Sequence, residues 1–242
     1  MTRLDPPDAT HFRFASYNIR KSVGLDWRRH PERILGVIEE MSADVVALQE
    51  ADRRFGARNS SIPADLLASQ SGLKAVALTD IPDRLGWHGN AVLVHSDAEI
   101  LSRETLDLPS LEPRGAVIVD IGLRGTKFRV VGLHLALLAA FRRRQITALA
   151  SHLSGMKTDM PTIIMGDFNE WHKAGRNIAG FGTSYTISSP GLSFHANRPT
   201  AALDRIITST DIDVQSMGVH RSLEARIASD HLPIWADCAV ST

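Results

Sequence analysis

The sequence has one cysteine, Cys238, among 242 residues. A disulfide framework within the chain and a thiolate-built zinc site are therefore excluded. The lone thiol is expected to be a small buried apolar residue in the last strand. Charge of one sign is lacking too: Lys plus Arg number 27, and so do Asp plus Glu. No global basic field advertises nucleic acid or an anionic membrane, although Arg20, Lys21, Arg28 and Arg29 could gather into a local patch. Aromatic residues make up only 6%, and no aromatic-rich basic stretch offers a platform for stacking single-stranded bases. The most lipid-like run, Val130 to Phe141, is broken by His134 and falls short of the roughly 20 apolar residues that a bilayer span needs. The start of the chain carries Asp5, Asp8 and a Pro6-Pro7 pair, which is not the pattern of a secretory signal.

What is present is an ordinary globular composition, 43% hydrophobic and 22% charged. The expectation is one cytoplasmic domain over residues 12–242 with a flexible arm at 1–11. Oligomeric state is not legible, and a monomer is favoured. Phe12 to Ile19 alternates apolar and polar residues like an entering strand. Pro31 opens a helix in which Ile34, Val37, Ile38 and Met41 share one face. Val45 to Leu48 is a short continuous apolar run suited to a strand buried on both faces. A short helix is expected between Ala64 and Ser71, then strands at Ala91 to Val94, Ala116 to Ile121 and Phe128 to Leu133. The last two form a hairpin through Arg124-Gly125-Thr126. A second long helix runs from Ala139 to about Met156, with Arg142, Arg143 and Arg144 on a solvated face near its start. Further strands are expected at Thr162 to Met165, Leu203 to Thr208, Val214 to Val219 and Ile234 to Val240.

Two segments share one plan. Tyr17-Asn18, a helix and a strand ending at Glu50 are matched by His134, a helix and a strand ending at Asp167. Right-handed strand–helix–strand units present their polar strand ends on one edge of a sheet. Asn18, Glu50, His134 and Asp167 should then converge.

Four strings carry the chemistry: Ser16-Tyr17-Asn18-Ile19, Leu48-Gln49-Glu50, Gly166-Asp167-Phe168-Asn169 and Ser229-Asp230-His231. Each sets a carboxylate, amide or imidazole against an apolar strand. Such oxygen-rich, thiol-free groups suit a hard cation, Mg²⁺ or Mn²⁺, better than zinc. A serine-hydrolase reading of Ser229, Asp230 and His231 is poor, because adjacent residues cannot form a Ser–His–Asp triad and no Gly-x-Ser-x-Gly elbow exists.

In this order, and with Leu203-Asp204-Arg205-Ile206 ahead of Ser-Asp-His, the strings resemble the endonuclease/exonuclease/phosphatase superfamily of DNase I-like, metal-dependent phosphoesterases. The resemblance runs from about Phe14 to Cys238. It implies an α/β fold, a four-layer α-β-β-α sandwich of two mostly antiparallel sheets flanked by helices, with the site at one edge. It implies Glu50 as the principal Mg²⁺ ligand, supported by Asn18 and Asp230. His231, backed by Asp204, would contact the scissile phosphate or take a proton from water. Asp167 would orient or deprotonate that water, while Asn169 and His134 would donate to phosphate oxygens. Weaker candidates for substrate binding are Arg114, which could equally form a surface ion pair, and Asn90. His172 is a still weaker candidate for the rim.

The resemblance implies a phosphoester substrate. Arg20 stands two places after Asn18, where repair endonucleases of the superfamily usually have an acid, and His134 stands where they use a tyrosine. The sequence looks more like the sphingomyelinase-, deadenylase- and inositol-phosphatase-like branches. A phosphodiester or phosphomonoester on a small molecule or lipid headgroup is the first expectation. DNA or RNA cleavage is second, since balanced charge argues mildly against tight duplex binding. A non-catalytic phosphate-binding module on the same fold is the rival of a different class.

Overall fold

The computed structural model describes residues 10–53, 59–81, 83–171 and 179–241. Among the described residues, twelve strands form two six-stranded sheets. The first contains β1 (Thr10–Asn18), β2 (Val45–Gln49), β3 (Leu73–Ala75), β4 (Ala91–His95), β11 (Ile212–Val219) and β12 (Ile234–Val240), in the order β11-β12-β1-β2-β4-β3. The second contains β5 (Glu99–Leu108), β6 (Arg114–Leu123), β7 (Thr126–His134), β8 (Thr162–Asp167), β9 (Tyr185–Ser188) and β10 (Asp204–Ser209), ordered β5-β6-β7-β8-β10-β9. Each sheet has one parallel pair, β1 with β2 and β7 with β8, and antiparallel pairing elsewhere. Those two parallel pairs are the strand–helix–strand units expected from sequence, closed by α1 (Pro31–Met41) and α3 (Ala139–Ser154).

Strand alternation explains why the sheets stack. In β1, Phe12 and Phe14 turn between the sheets, where they meet Phe128 of β7 with ring centroids 4.9 and 5.3 Å away. Ala15 and Tyr17 turn the other way, toward Ile34, Val37 and Ile38 of α1. In β7, Phe128 and Val130 face inward, whereas Val131 and Leu133 pack on Ile146 and Leu149 of α3. Central strands are thus apolar on both faces, as fully covered strands must be. Helix, sheet, sheet and helix give the four layers. The short helix α2 (Ala64–Gln70) joins the α1 side.

Some expectations need correction. β1 begins at Thr10, so the domain reaches two residues into the segment read as an arm, while residues 1–9 and His172 lie outside the described residues. β3, β5, β9 and a four-residue helix α4 (Ala225–Ala228) carried no readable signal. The hairpin turn is Arg124-Gly125, both left-handed at φ 51° and 81°, between the paired Leu123 and Thr126. Such a pair matches the twist of the flanking strands. Arg142 is buried rather than solvated. Its guanidinium donates to the carbonyls of Ala136 (3.2 Å) and Leu137 and lies 3.7 Å from the Glu170 carboxylate. Cys238 is buried in β12, and burial pushes its thiol up to about 12.

Candidate active site

The C-terminal ends of the two parallel pairs place four polar residues side by side. β1 ends at Asn18, β7 at His134 and β8 at Asp167, while Glu50 follows β2 directly. Gly166 is required for this placement. A Cβ there would sit 1.9 Å from the Leu133 carbonyl oxygen, so only glycine lets β8 lie against β7 up to Asp167.

Three nitrogens cluster around one oxygen, Oδ2 of Asp167. Asn18 Nδ2 donates to it at 3.1 Å, and the Nε2 atoms of His134 and His231 lie 3.4 and 3.6 Å away. The other Asp167 oxygen accepts the Asn169 backbone N–H at 2.9 Å, the aspartate side-chain turn that fixes Asn169 at φ 49°. Asn169 in turn donates its amide to the Leu135 carbonyl at 3.0 Å, so at least one of its two N–H groups holds the chain after β7.

Behind His231 stands Asp204, whose Oδ2 is 2.9 Å from Nδ1. Ser193 donates its hydroxyl to the same oxygen, and the ring of Phe194 lies 4.9 Å from the imidazole. The carboxylate holds the proton on Nδ1 and turns Nε2 toward Asp167. Burial alone would lower the pKa of His231, but Asp204 and Asp167 outweigh it and raise the imidazole to about 10. His134 goes the other way. Burial pushes it down to about 4 against the pull of Asp167, so its ring is neutral near pH 7.

Glu50 faces the same opening. It sits in the left-handed region at φ 53°, an uncommon conformation for a side-chain-bearing residue. Burial works against its charge, but His134 and Lys21 prevail and hold its carboxyl below the usual range. Lys21 Nζ forms an ion pair with it. Arg20, the neighbour of Lys21, lies with Nε 3.5 Å from Asp230 and gives its backbone N–H to Asn18 Oδ1 at 3.1 Å. Arg20, Lys21 and Ser22 are successively left-handed, at φ 46°, 58° and 60°. This strained turn swings two cations onto two carboxylates. Ser229 ties the corner together by donating its hydroxyl to the Asn18 carbonyl at 2.7 Å.

Glu50, Lys21, His134, Arg114, Arg53 and Arg84 line a cleft of about 480 Å³. Arg114 also lies 3.5 Å from Glu112. Asn90 does not line this cleft. It donates to the carbonyls of Gly115 (3.0 Å) and Trp87 and so fastens β4 of one sheet to β6 of the other. Lys21 as partner of Glu50, Ser193 and Phe194 were not legible in the sequence. Their signal is backbone geometry, and no residue pattern announces it.

Asp167, Asp204 and His231 can bring one ligand atom each within 4.8 Å of one another. In this structure Asp204 and His231 engage each other through Oδ2 and Nδ1.

The sequence matches the Endonuclease/Exonuclease/phosphatase family over residues 15–231. No curated protein matches it. Among solved structures, an endonuclease/exonuclease/phosphatase from Bacteroides vulgatus superposes with a TM-score of 0.75 at 18% identity, covering 96% of this chain and all of that one. TDP2 of D. rerio, solved with a single-strand DNA product, gives 0.73 at 16%, covering 95% and 99% of the two chains. A mannosyl-6-phosphatase from Bacteroides thetaiotaomicron gives 0.71 at 17%, covering 94% and 99%. At these identities the likeness shows the fold. With nine-tenths of the sequence matched in order and the conserved plan of two sheets in place, the chain belongs to the Endonuclease/Exonuclease/phosphatase family.

Proposed function

We propose that this protein hydrolyses a phosphoester by direct attack of water on phosphorus, with no covalent enzyme intermediate. Members of the family are hydrolases of phosphoester bonds. The observation that carries the reading for this chain is the convergence of Asn18, His134 and His231 on Asp167 beside the Glu50 cleft. The same donors suit a phosphoryl oxygen as well as they suit a carboxylate.

Asp167 is the group that orients the attacking water and takes its proton. His231, held by Asp204, presents Nε2 to the phosphoryl oxygens, and the neutral His134 adds a second N–H as negative charge shifts onto them. Asn169 fixes the loop that follows Asp167 and offers its remaining N–H to the substrate. Arg114 faces the cleft as the guanidinium able to grip a phosphate in two places. The oxygens of Glu50, Asn18 and Asp230 would hold Mg²⁺ or Mn²⁺, with Arg20 and Lys21 yielding part of the charge compensation they give here. When bound, that ion supplies positive charge to the phosphoryl and leaving oxygens. As the water oxygen bonds to phosphorus, the phosphorus–oxygen bond to the leaving group breaks and its electron pair departs with the alkoxide, which is protonated afterwards.

The substrate we favour is a small-molecule or lipid-headgroup phosphoester, in keeping with balanced charge and a cleft rather than a long basic groove. Nucleic acid is the second reading, and the D. rerio neighbour's DNA product is its support. Among the described residues no helix is long and apolar enough to cross a membrane. We place the protein in the cytoplasm, where an unpaired Cys238 is at home.

A panel of bis-p-nitrophenyl phosphate, p-nitrophenyl phosphate and labelled DNA and RNA oligonucleotides, with Mg²⁺ or Mn²⁺ and with chelator, tests this. Metal-dependent turnover of the small esters is expected. Preference for an oligonucleotide would favour the second reading. Binding of phosphate with no turnover of any substrate would leave only a non-catalytic module.

A further inference from the structure

Beside the catalytic cleft lies a second, smaller cavity of about 180 Å³, lined chiefly by Leu111, Leu137, Leu138 and Phe141. Its lining is largely apolar, in contrast to the charged cleft. Glu112 and Arg114 belong to both cavities, so the two meet at one rim. The leucines are unusually bare: Leu111 is 80% exposed, Leu137 64% and Leu138 58%. The loop that carries Leu137 and Leu138 is not loose. The buried Arg142 side chain holds the carbonyls of Ala136 and Leu137, and Gln145 Oε1 accepts the Ala136 N–H at 2.9 Å. Two buried polar side chains of α3 therefore fix a backbone whose apolar side chains face water, an arrangement that costs free energy unless something apolar comes to cover it.

We propose that this notch receives the alkyl portion of an amphiphilic phosphoester whose phosphate lies in the Glu50–His134 cleft. The proposal rests on the phosphoesterase reading and narrows it to substrates with a hydrocarbon chain next to the phosphate. Continuity of the two cavities through Arg114 carries the argument. A guanidinium at the rim grips the anionic head, and the chain then passes Arg114 and Glu112 directly onto the leucines.

The test is a series of p-nitrophenyl alkyl phosphodiesters, from methyl through butyl and hexyl to octyl, each kept below its micelle-forming concentration and assayed with Mg²⁺. Release of p-nitrophenolate reports attack at phosphorus whatever the chain. Within the wild-type protein, kcat/KM should rise about two- to fourfold per methylene, the gain expected for partial to full burial of each one, and level off when the notch is full. In Leu137→Ser/Leu138→Ser, and in Leu111→Ser from the opposite wall, the octyl-to-methyl ratio measured within each variant should fall toward one. That internal ratio does not depend on the amount of folded enzyme. Turnover of every ester at the same kcat/KM would overturn the notch and leave the phosphoesterase reading intact. No turnover of any chain length would overturn both. A gain that appears only when the esters form micelles or are placed in vesicles, with no slope among dissolved chains, would assign the leucines to a membrane surface and overturn the notch as a substrate pocket.

Discussion

The two strand–helix–strand units are built alike and finished differently. Both bury an apolar face of a helix on a parallel pair and both end at a carboxylate, Glu50 in one and Asp167 in the other. Around Glu50 the compensating charge is an amine, Lys21, on a partly exposed turn. Around Asp167 the partners are buried: the charged His231, the neutral His134 ring and the Asn18 amide. A carboxylate with an exposed, replaceable partner is suited to accepting a metal ion. One enclosed by imidazoles is suited to handling protons. The scaffold is common to both units, and the surroundings of each strand end divide the chemistry.

That division can be broken by experiment. The largest effect is expected for His231→Ala, a fall in turnover of roughly 10²–10³-fold, the range usual for losing one donor to developing negative charge, that added metal does not repair. Glu50→Gln should lose about 10–100-fold at limiting Mg²⁺ and recover as Mg²⁺ is raised, read from metal titrations of activity. If both variants respond to metal alike, the two halves are not chemically distinct. Arg142→Ala should leave the Glu170 carboxylate and two loop carbonyls without their guanidinium, lowering stability by about 3 kcal/mol in denaturant unfolding. On α1 the arginine is Arg33, whose carboxylate partners Asp26 and Glu224 are themselves exposed to water, and no exposed α1 substitution should match that loss. The smallest effect concerns pH. The Arg13 side chain holds the Asp237 carboxyl below its ordinary range. A lowered folded-state pKa contributes stability above the unfolded value of about 3.9, and that contribution disappears as pH falls through the folded value. Arg13→Gln should therefore lower stability slightly and evenly above about pH 4, and its denaturant-unfolding stability should converge with that of the wild type as pH falls through the folded value.

Much of the scaffold was legible because burial imposes strict patterns. Val45 to Leu48 and Thr162 to Met165 are covered on both faces, so they read as unbroken apolar runs, and the strands observed contain both. β5 gave no such signal. Glu99–Leu108 is an edge strand with most side chains in water, and its polar sequence follows from that exposure. β3 and β9 are too short, at three and four residues, to show a period.

At the site, strand ends could be placed by extrapolating from buried runs, and the structure does bring Asn18, Glu50, His134 and Asp167 to one edge. An asparagine opening a strand, such as Asn90, looks the same in sequence whether it serves a substrate or ties two sheets, as its amide does here. Arg142 misled because a run of three arginines reads as a solvated face, whereas the helix turns the first of them into the protein. The position of Lys21 depends on backbone angles that no local composition reveals.

The left-handed run at Arg20–Ser22 has a practical corollary. Each such residue carries a conformational cost on the order of 1–2 kcal/mol that glycine escapes. An engineer hunting for heat tolerance would be drawn to glycine at position 21 and would remove the amine that faces Glu50. Robustness and activity thus pull in opposite directions at this one corner, and a library selected only for melting temperature should drift away from Lys21.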